Sequence, residues 1–105
     1  MKPSTILFDW FIVEIVPVTS IKSSAKSLFL WGLVKKDQLE RYCYGDYVCT
    51  SMIKSISPSM RQVVTASNHI YTLSGPGHRI KVSVDEFEML RNGYSPNEIK
   101  FITSN

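Results

Sequence analysis

Tyr44-Gly45-Asp46-Tyr47-Val48-Cys49-Thr50-Ser51, with the chain that follows it as far as Gly93, decides the fold. It reads as turn, strand, loop, strand, turn, strand, a Gly-Pro-Gly turn, a further strand and a capped helix. Gly45-Asp46 turns the chain. Tyr47 to Ile53 (YVCTSMI) reads as one strand, with Tyr47, Cys49 and Ser51 on one face and Val48, Thr50 and Met52 on the other. Ser57-Pro58-Ser59 is a loop. Arg61 to Ala66 and His69 to Leu73 flank Ser67-Asn68, a hairpin connection made of turn formers. Gly75-Pro76-Gly77 is a firm turn, and Arg79 to Val82 alternates charged with apolar residues, as a half-exposed strand does. Ser83-Val84-Asp85-Glu86 is a capping box, and Asn92-Gly93 stops the helix it starts. Ser95-Pro96-Asn97-Glu98 is a second capping box with proline at the favoured first position.

Upstream, Ile6 to Val16 (ILFDWFIVEIV) is rich in β-branched and aromatic residues. Strict alternation puts Phe8, Trp10, Ile12 and Val16 on one face and Leu7, Phe11, Val13 and Ile15 on the other. Both faces are apolar, which predicts a central strand ended by Pro17; a buried helix is the alternative. Ser20 to Ser27 reads as a loop. Leu28 to Lys35 is a second strand, in which Gly32 marks a bulge or close packing. Lys36 to Tyr42 is a loop or a single helical turn. The expected architecture is α+β: a curled antiparallel sheet, or a partly open small β-barrel, of five to six strands with two short C-terminal helices. Residues 1–105 form one domain with an ordered core over about 6–102.

Composition bounds the function. A chain of 105 residues buries about two-thirds of its unfolded surface, enough for a core without disulfides or metal. Twelve basic and nine acidic residues give a net charge of +3, which permits nucleic-acid binding without the dense cationic stripe of a dedicated DNA-binding domain. Cys43 and Cys49 would stand about 20 Å apart on extended chain, beyond disulfide reach, and could pair only through a sharp turn at Gly45-Asp46; both are expected as free thiols in a reducing cytoplasm. The Ile6 to Val18 run is interrupted by Asp9 and Glu14, too short to span a bilayer, and lacks a signal-peptide cleavage site.

Motifs for chemistry are weak. No Cys-x-x-Cys or His-x-x-x-His spacing supports zinc. Nothing places His69 or His78 beside Cys43 or Cys49, so Cys49 reads as a small core residue, His69 as solvent-facing or at an edge, and His78 as exposed. Gly75 to Arg79 lacks the spacing of a phosphate loop. Asp85, Glu86 and Glu88 offset a helix dipole. Asp9, at the sheet margin, and Glu14, at an edge or paired with a cation, are the carboxylates that interrupt an apolar strand.

Two surfaces remain. Trp10, Phe11, Phe29 and Trp31 lie on strands that are apolar on both faces; the surplus meets the C-terminal helices, a second copy or another protein. On that reading Trp31→Ala lowers association. Lys35, Lys36, Arg41, Tyr44, Tyr47, Lys54 and Arg61 form a candidate nucleic-acid face, beside the basic pairs Lys22 and Lys26, and Arg79 and Lys81; Tyr42 and Tyr71 add stacking faces.

The pattern Trp31-Gly32-x-Val34, Tyr44 to Ser51, Tyr71-x-Leu73-x-Gly75-Pro76-Gly77 and Phe87-x-x-Leu90-x-x-Gly93-x-Ser95-Pro96-x-Glu98-Ile99 resembles a group of small uncharacterised bacterial proteins. Such proteins are often carried on phages, integron cassettes or other mobile elements. The shared residues are turns, caps and aromatic core, so the resemblance implies no catalytic residue and no cofactor. It implies an accessory role in a bacterial cytoplasm. The expected function is therefore non-enzymatic contact with a protein (self, host or phage), without metal or membrane. The alternatives are a single-stranded nucleic-acid-binding small β-barrel, and a ligand-binding or enzymatic barrel using Glu14, Cys49 or a histidine.

Overall fold

The computed structural model describes residues 3–16 and 27–103. Pro17, Lys22, Lys26 and all but the last residue of the expected 20–27 loop lie outside them. The elements are β1 (Thr5–Ile15), β2 (Leu28–Asp37), β3 (Tyr47–Cys49), β4 (Ile53–Ser57), β5 (Gln62–Thr65), β6 (Ile70–Leu73), β7 (His78–Val82), α1 (Val84–Arg91) and α2 (Pro96–Thr103). The fold is α+β. One sheet runs in the order β3-β2-β1-β6-β5-β4, with β7 also on β1. Among the described residues it does not close, and β3, β4 and β7 each pair on one side only. Ser4 and Thr5, just outside the expected ordered core, are buried.

The sheet has seven strands and is mixed, not antiparallel with five or six. Two local events account for the difference. The expected Tyr47 to Ile53 strand breaks after Cys49. Thr50 binds the end of β2 through its hydroxyl, which accepts from Leu30 N (3.1 Å), and through its own N–H, which donates to Leu30 O (2.9 Å). The chain then leaves β2 and pairs with β5 as β4. That strand exposes Lys54, Ser55 and Ile56, so it carries no alternating signal.

The second event is at Gly75-Pro76-Gly77. The segment does not reverse the chain. β6 runs parallel to β1 at Thr5–Leu7, and β7 continues parallel along the same side of β1 at Phe11–Ile15. The Gly-Pro-Gly segment is the sidestep between them. Opposite it, β1 carries a bulge: Phe8 faces Leu33 while Phe11 faces Trp31, so one extra residue is taken up between them. Asp9 absorbs it at φ 48.

The bulge also corrects the expected faces of β1. An inserted residue inverts the two-residue alternation. Leu7 therefore shares a face with Trp10 and Ile12, while Phe11, Val13 and Ile15 point the other way. The first face packs with Leu30, Val34, Val48, Val63, Tyr71 and Leu73. The second is covered by the helices, where Phe11, Val13 and Trp31 meet Val82, Phe87, Leu90 and Ile99. Gly32 is a close approach: a Cβ there would meet Leu7 Cδ1 at 3.0 Å and Trp10 Cβ at 3.3 Å.

Both capping boxes form. Ser83 N donates to Glu86 Oε1 (2.8 Å) and Glu86 N to Ser83 Oγ (3.1 Å); Ser95 N donates to Glu98 Oε1 (2.9 Å) and Glu98 N to Ser95 Oγ (3.1 Å). They start α1 and α2 where Phe87, Leu90 and Ile99 land on the second core.

Candidate functional site

Antiparallel pairing alternates inward-bonded and outward-facing residues. On β3 the inward set is fixed by Thr50 N to Leu30 O and Val34 N to Asp46 O (2.8 Å), with Gly32 opposite Val48 between them. Tyr47 and Cys49 therefore turn their backbone N–H and C=O away from β2. No described strand lies on that side. A groove of about 530 Å³ runs there, lined by Tyr42, Asp46, Tyr47, Val48, Cys49, Tyr71 and Arg91.

Several parts of the lining are held by nameable devices. Asp37, buried at the end of β2, anchors the loop that carries Tyr42: its carboxylate accepts from the N–H groups of Leu39 (3.1 Å), Arg41 (2.8 Å) and Tyr42 (3.2 Å) and from Thr5 Oγ1 (2.9 Å). Burial pushes the Asp37 carboxyl up, but the amides of Arg41 and Leu39, the Thr5 hydroxyl and the Arg41 charge outweigh it and hold the group below the usual aspartate value. Asp46 closes the next turn by accepting from Cys43 N (2.9 Å). Tyr47 stacks on Trp31 (centroids 6.5 Å apart), and its hydroxyl donates to Arg91 O (3.1 Å), tying the groove to the end of α1. Arg91 has one weak ion pair, 3.6 Å from Glu88, with both partners more than half exposed; such pairs hold a side chain loosely.

Cys49, in the groove wall, is poorly set for nucleophilic attack. Cys43 and Cys49 are free thiols, as expected. Burial pushes the Cys49 thiol up to about 11, with Arg91 pulling the other way and Glu88 adding to the rise, so it is a protonated, poor nucleophile at neutral pH. Burial, with Tyr42 beside it, raises Tyr71. Among the described residues no group of three or more His, Cys, Asp or Glu side chains stands together as metal ligands would. No described helix is long and apolar enough to cross a membrane.

The residues singled out in the sequence are dispersed. Phe11 and Trp31 are buried under the helices, Trp31 at 4% exposure, and Phe29 packs against Phe87 (4.5 Å). Trp10 is half-buried, with its indole N–H donating to Gly75 O (3.2 Å). The aromatic surplus is thus largely spent inside the chain. In the cationic set, Arg41 is bound to Asp37 (3.4 Å) and Thr5, and Arg61 donates to the carbonyls of Leu73 (3.0 Å) and Gly75. Lys35 reaches Ser74 (3.4 Å) and Lys54 reaches Asn68 (3.2 Å). Tyr44 stacks on Phe8 (5.4 Å), and Lys36 is exposed. Glu14 is ion-paired with Arg79 (3.5 Å). Asp9 sits at the bulge of a central strand, not at the sheet margin, and His69, expected to be solvent-facing or at an edge, is half-buried just before the inner strand β6. Arg91 and Asp46 were not legible as groove residues, because nothing in the sequence says where α1 ends relative to β3.

No curated protein and no solved structure matches the chain. Residues 1–89 match the family described as Domain of unknown function (DUF6957), which leaves α2 outside the match. The chain belongs to that family of unknown function.

Proposed function

We propose that the chain is a non-enzymatic accessory protein that receives an extended, acidic segment of another protein along the free edge of β3. The observation that carries this reading is the outward backbone of Tyr47 and Cys49 beside a groove walled by Tyr42, Tyr47, Tyr71 and Arg91. Strand addition of this kind draws affinity from main-chain hydrogen bonds and specificity from the pockets alongside. Tyrosine and arginine are the favoured anchors of protein contacts. The acidic character follows from Arg91 at the groove, whose one lining carboxylate, Asp46, is engaged by Cys43 N, and from the net charge of +3. The same charge disfavours edge-to-edge pairing of two copies.

Panning a displayed library of random linear peptides against the protein tests the reading. Cys49→Pro removes one outward donor and leaves the inward Gly32–Val48 pair intact. Enriched peptides should carry Asp or Glu and bind Cys49→Pro and Arg91→Ala at least about tenfold more weakly, about 1.4 kcal/mol. Enriched peptides that bind both variants as tightly as the native chain, or a protein that only dimerises through β3, would contradict it.

A further inference from the structure

The outward edge of β3 is short. Its free main-chain groups are those of Tyr47 and Cys49, because Val48 pairs inward with Gly32 and Thr50 turns its N–H to Leu30 O (2.9 Å). At the other end the chain folds back at Asp46, whose N–H donates to Cys43 O (3.1 Å) and whose C=O accepts from Val34 N (2.8 Å). A segment laid on this edge therefore gains at most four ladder bonds, from the N–H and C=O of two residues. Such bonds are modest in net worth, and so few do not offset the freedom lost on association. The occupant needs an anchor beside the ladder. The groove wraps around the edge, with Val48 and Tyr71 on the side of one core and Cys49 on the side of the other. Arg91 stands on the Cys49 side, close enough for its charge to act on the thiol.

Arg91 is available to an anion. Its side chain is 61% exposed, and the ion pair it makes with Glu88 is long (3.6 Å) and open to solvent. Asp46, the carboxylate of the lining, is engaged by Cys43 N (2.9 Å). An anion at the end of a helix ordinarily meets the negative end of its dipole. Here the carbonyls of the last turn are already taken. Glu88 O accepts from Asn92 Nδ2 (2.8 Å), Met89 O from Tyr94 N (3.1 Å), Leu90 O from Gly93 N (3.3 Å) and Arg91 O from the Tyr47 hydroxyl (3.1 Å).

We propose, resting on the strand-addition reading above, that the segment received at β3 is a chain terminus whose free C-terminal carboxylate is taken by Arg91. A terminal carboxylate is ionised at neutral pH whatever the sequence before it. It presents two oxygens to the fork of a guanidinium. A chain that ends there also has no need to leave the short edge a second time. Capture of a terminal carboxylate beside an added strand combines two known modes of peptide recognition. In a peptide whose terminus is tied to a carrier, an Asp or Glu side chain can stand in for it.

Two displayed libraries of short random peptides test it, one joined to its carrier through the N-terminus, with the carboxylate free, and one through the C-terminus. Peptides recovered from the first are synthesised as free acids and as C-terminal amides. Their affinities for the native protein, Cys49→Pro and Arg91→Ala are measured by titration calorimetry. The free acids should bind the native protein at least about tenfold more tightly than the amides. Arg91→Ala should shrink that ratio to about twofold or less, because the partner of the carboxylate is gone. Cys49→Pro should weaken acid and amide alike, because it acts on the ladder. Binders from the C-terminally tied library alone, amides that bind as tightly as acids, or an acid-to-amide ratio unchanged in Arg91→Ala would each overturn the proposal. If those peptides are still weakened by Cys49→Pro, strand addition at β3 stands without it. Peptides from either library that bind Cys49→Pro undiminished remove strand addition, and the proposal with it.

Discussion

The Trp10 ring occupies the space that a side chain at Gly77 would need: a Cβ there would fall 2.2 Å from Trp10 Cδ2 and 2.4 Å from Cε2. The contact locks the β1 bulge to the sidestep between β6 and β7, and the Trp10 N–H bond to Gly75 O completes it. Gly77→Ala should therefore cost about 1–3 kcal/mol through overpacking. Urea unfolding measures it, and the loss should shrink in a Trp10→Ala background, because the clashing ring is gone.

Trp31→Ala should act on stability. The side chain is almost wholly buried among Phe11, Tyr47 and the helices, and truncation of such an aromatic costs about 3–5 kcal/mol. Thermal unfolding should show a large drop in midpoint. A variant of native stability with altered association would restore the interface expected from sequence.

Asp37 gives the pH dependence a sign. Its carboxyl is held below the unfolded value, so the stability it contributes is fully present above about pH 4. That stability is lost as pH falls through the lower folded value. Asp37→Asn, which turns donors toward donors, should cost about 2–3 kcal/mol at neutral pH. The gap between the two proteins should narrow as the solution is acidified below about pH 4, as followed by denaturant titrations at a series of pH values.

The thiols should differ in reactivity. Cys43 is exposed, whereas Cys49 is held protonated up to about pH 11. In a Cys43→Ser variant, alkylation of Cys49 by iodoacetamide at pH 7 should run about a hundredfold slower than that of an ordinary thiol, and accelerate on raising the pH. Fast alkylation at neutral pH would mean a reactive nucleophile in the groove.

The parts of the fold legible in the sequence were those set by local chemistry. Both capping boxes and the β5–β6 turn follow from residue types within four positions of one another, and a glycine inside an apolar strand marked the close approach at Gly32 without naming its partners, Leu7 and Trp10. What escaped depends on distant partners. The Asp9 bulge exists because β1 is paired on one side with β2 and on the other with two successive strands, and alternation alone misassigned the face of Leu7. β4 escaped because its residues face solvent. The groove draws residues from loops, sheet and a helix end up to about 50 positions apart, so its membership is tertiary information.

Amide hydrogen exchange at β3, with and without an acidic peptide recovered by panning, tests the central claim most directly. Tyr47 and Cys49 amides face outward and should exchange readily in the free protein, then slow by about a hundredfold or more on saturation, while Val48, already bonded to Gly32, changes little. Unchanged exchange at Tyr47 and Cys49 in the bound state, with protection appearing at some other surface, would contradict strand addition at this edge.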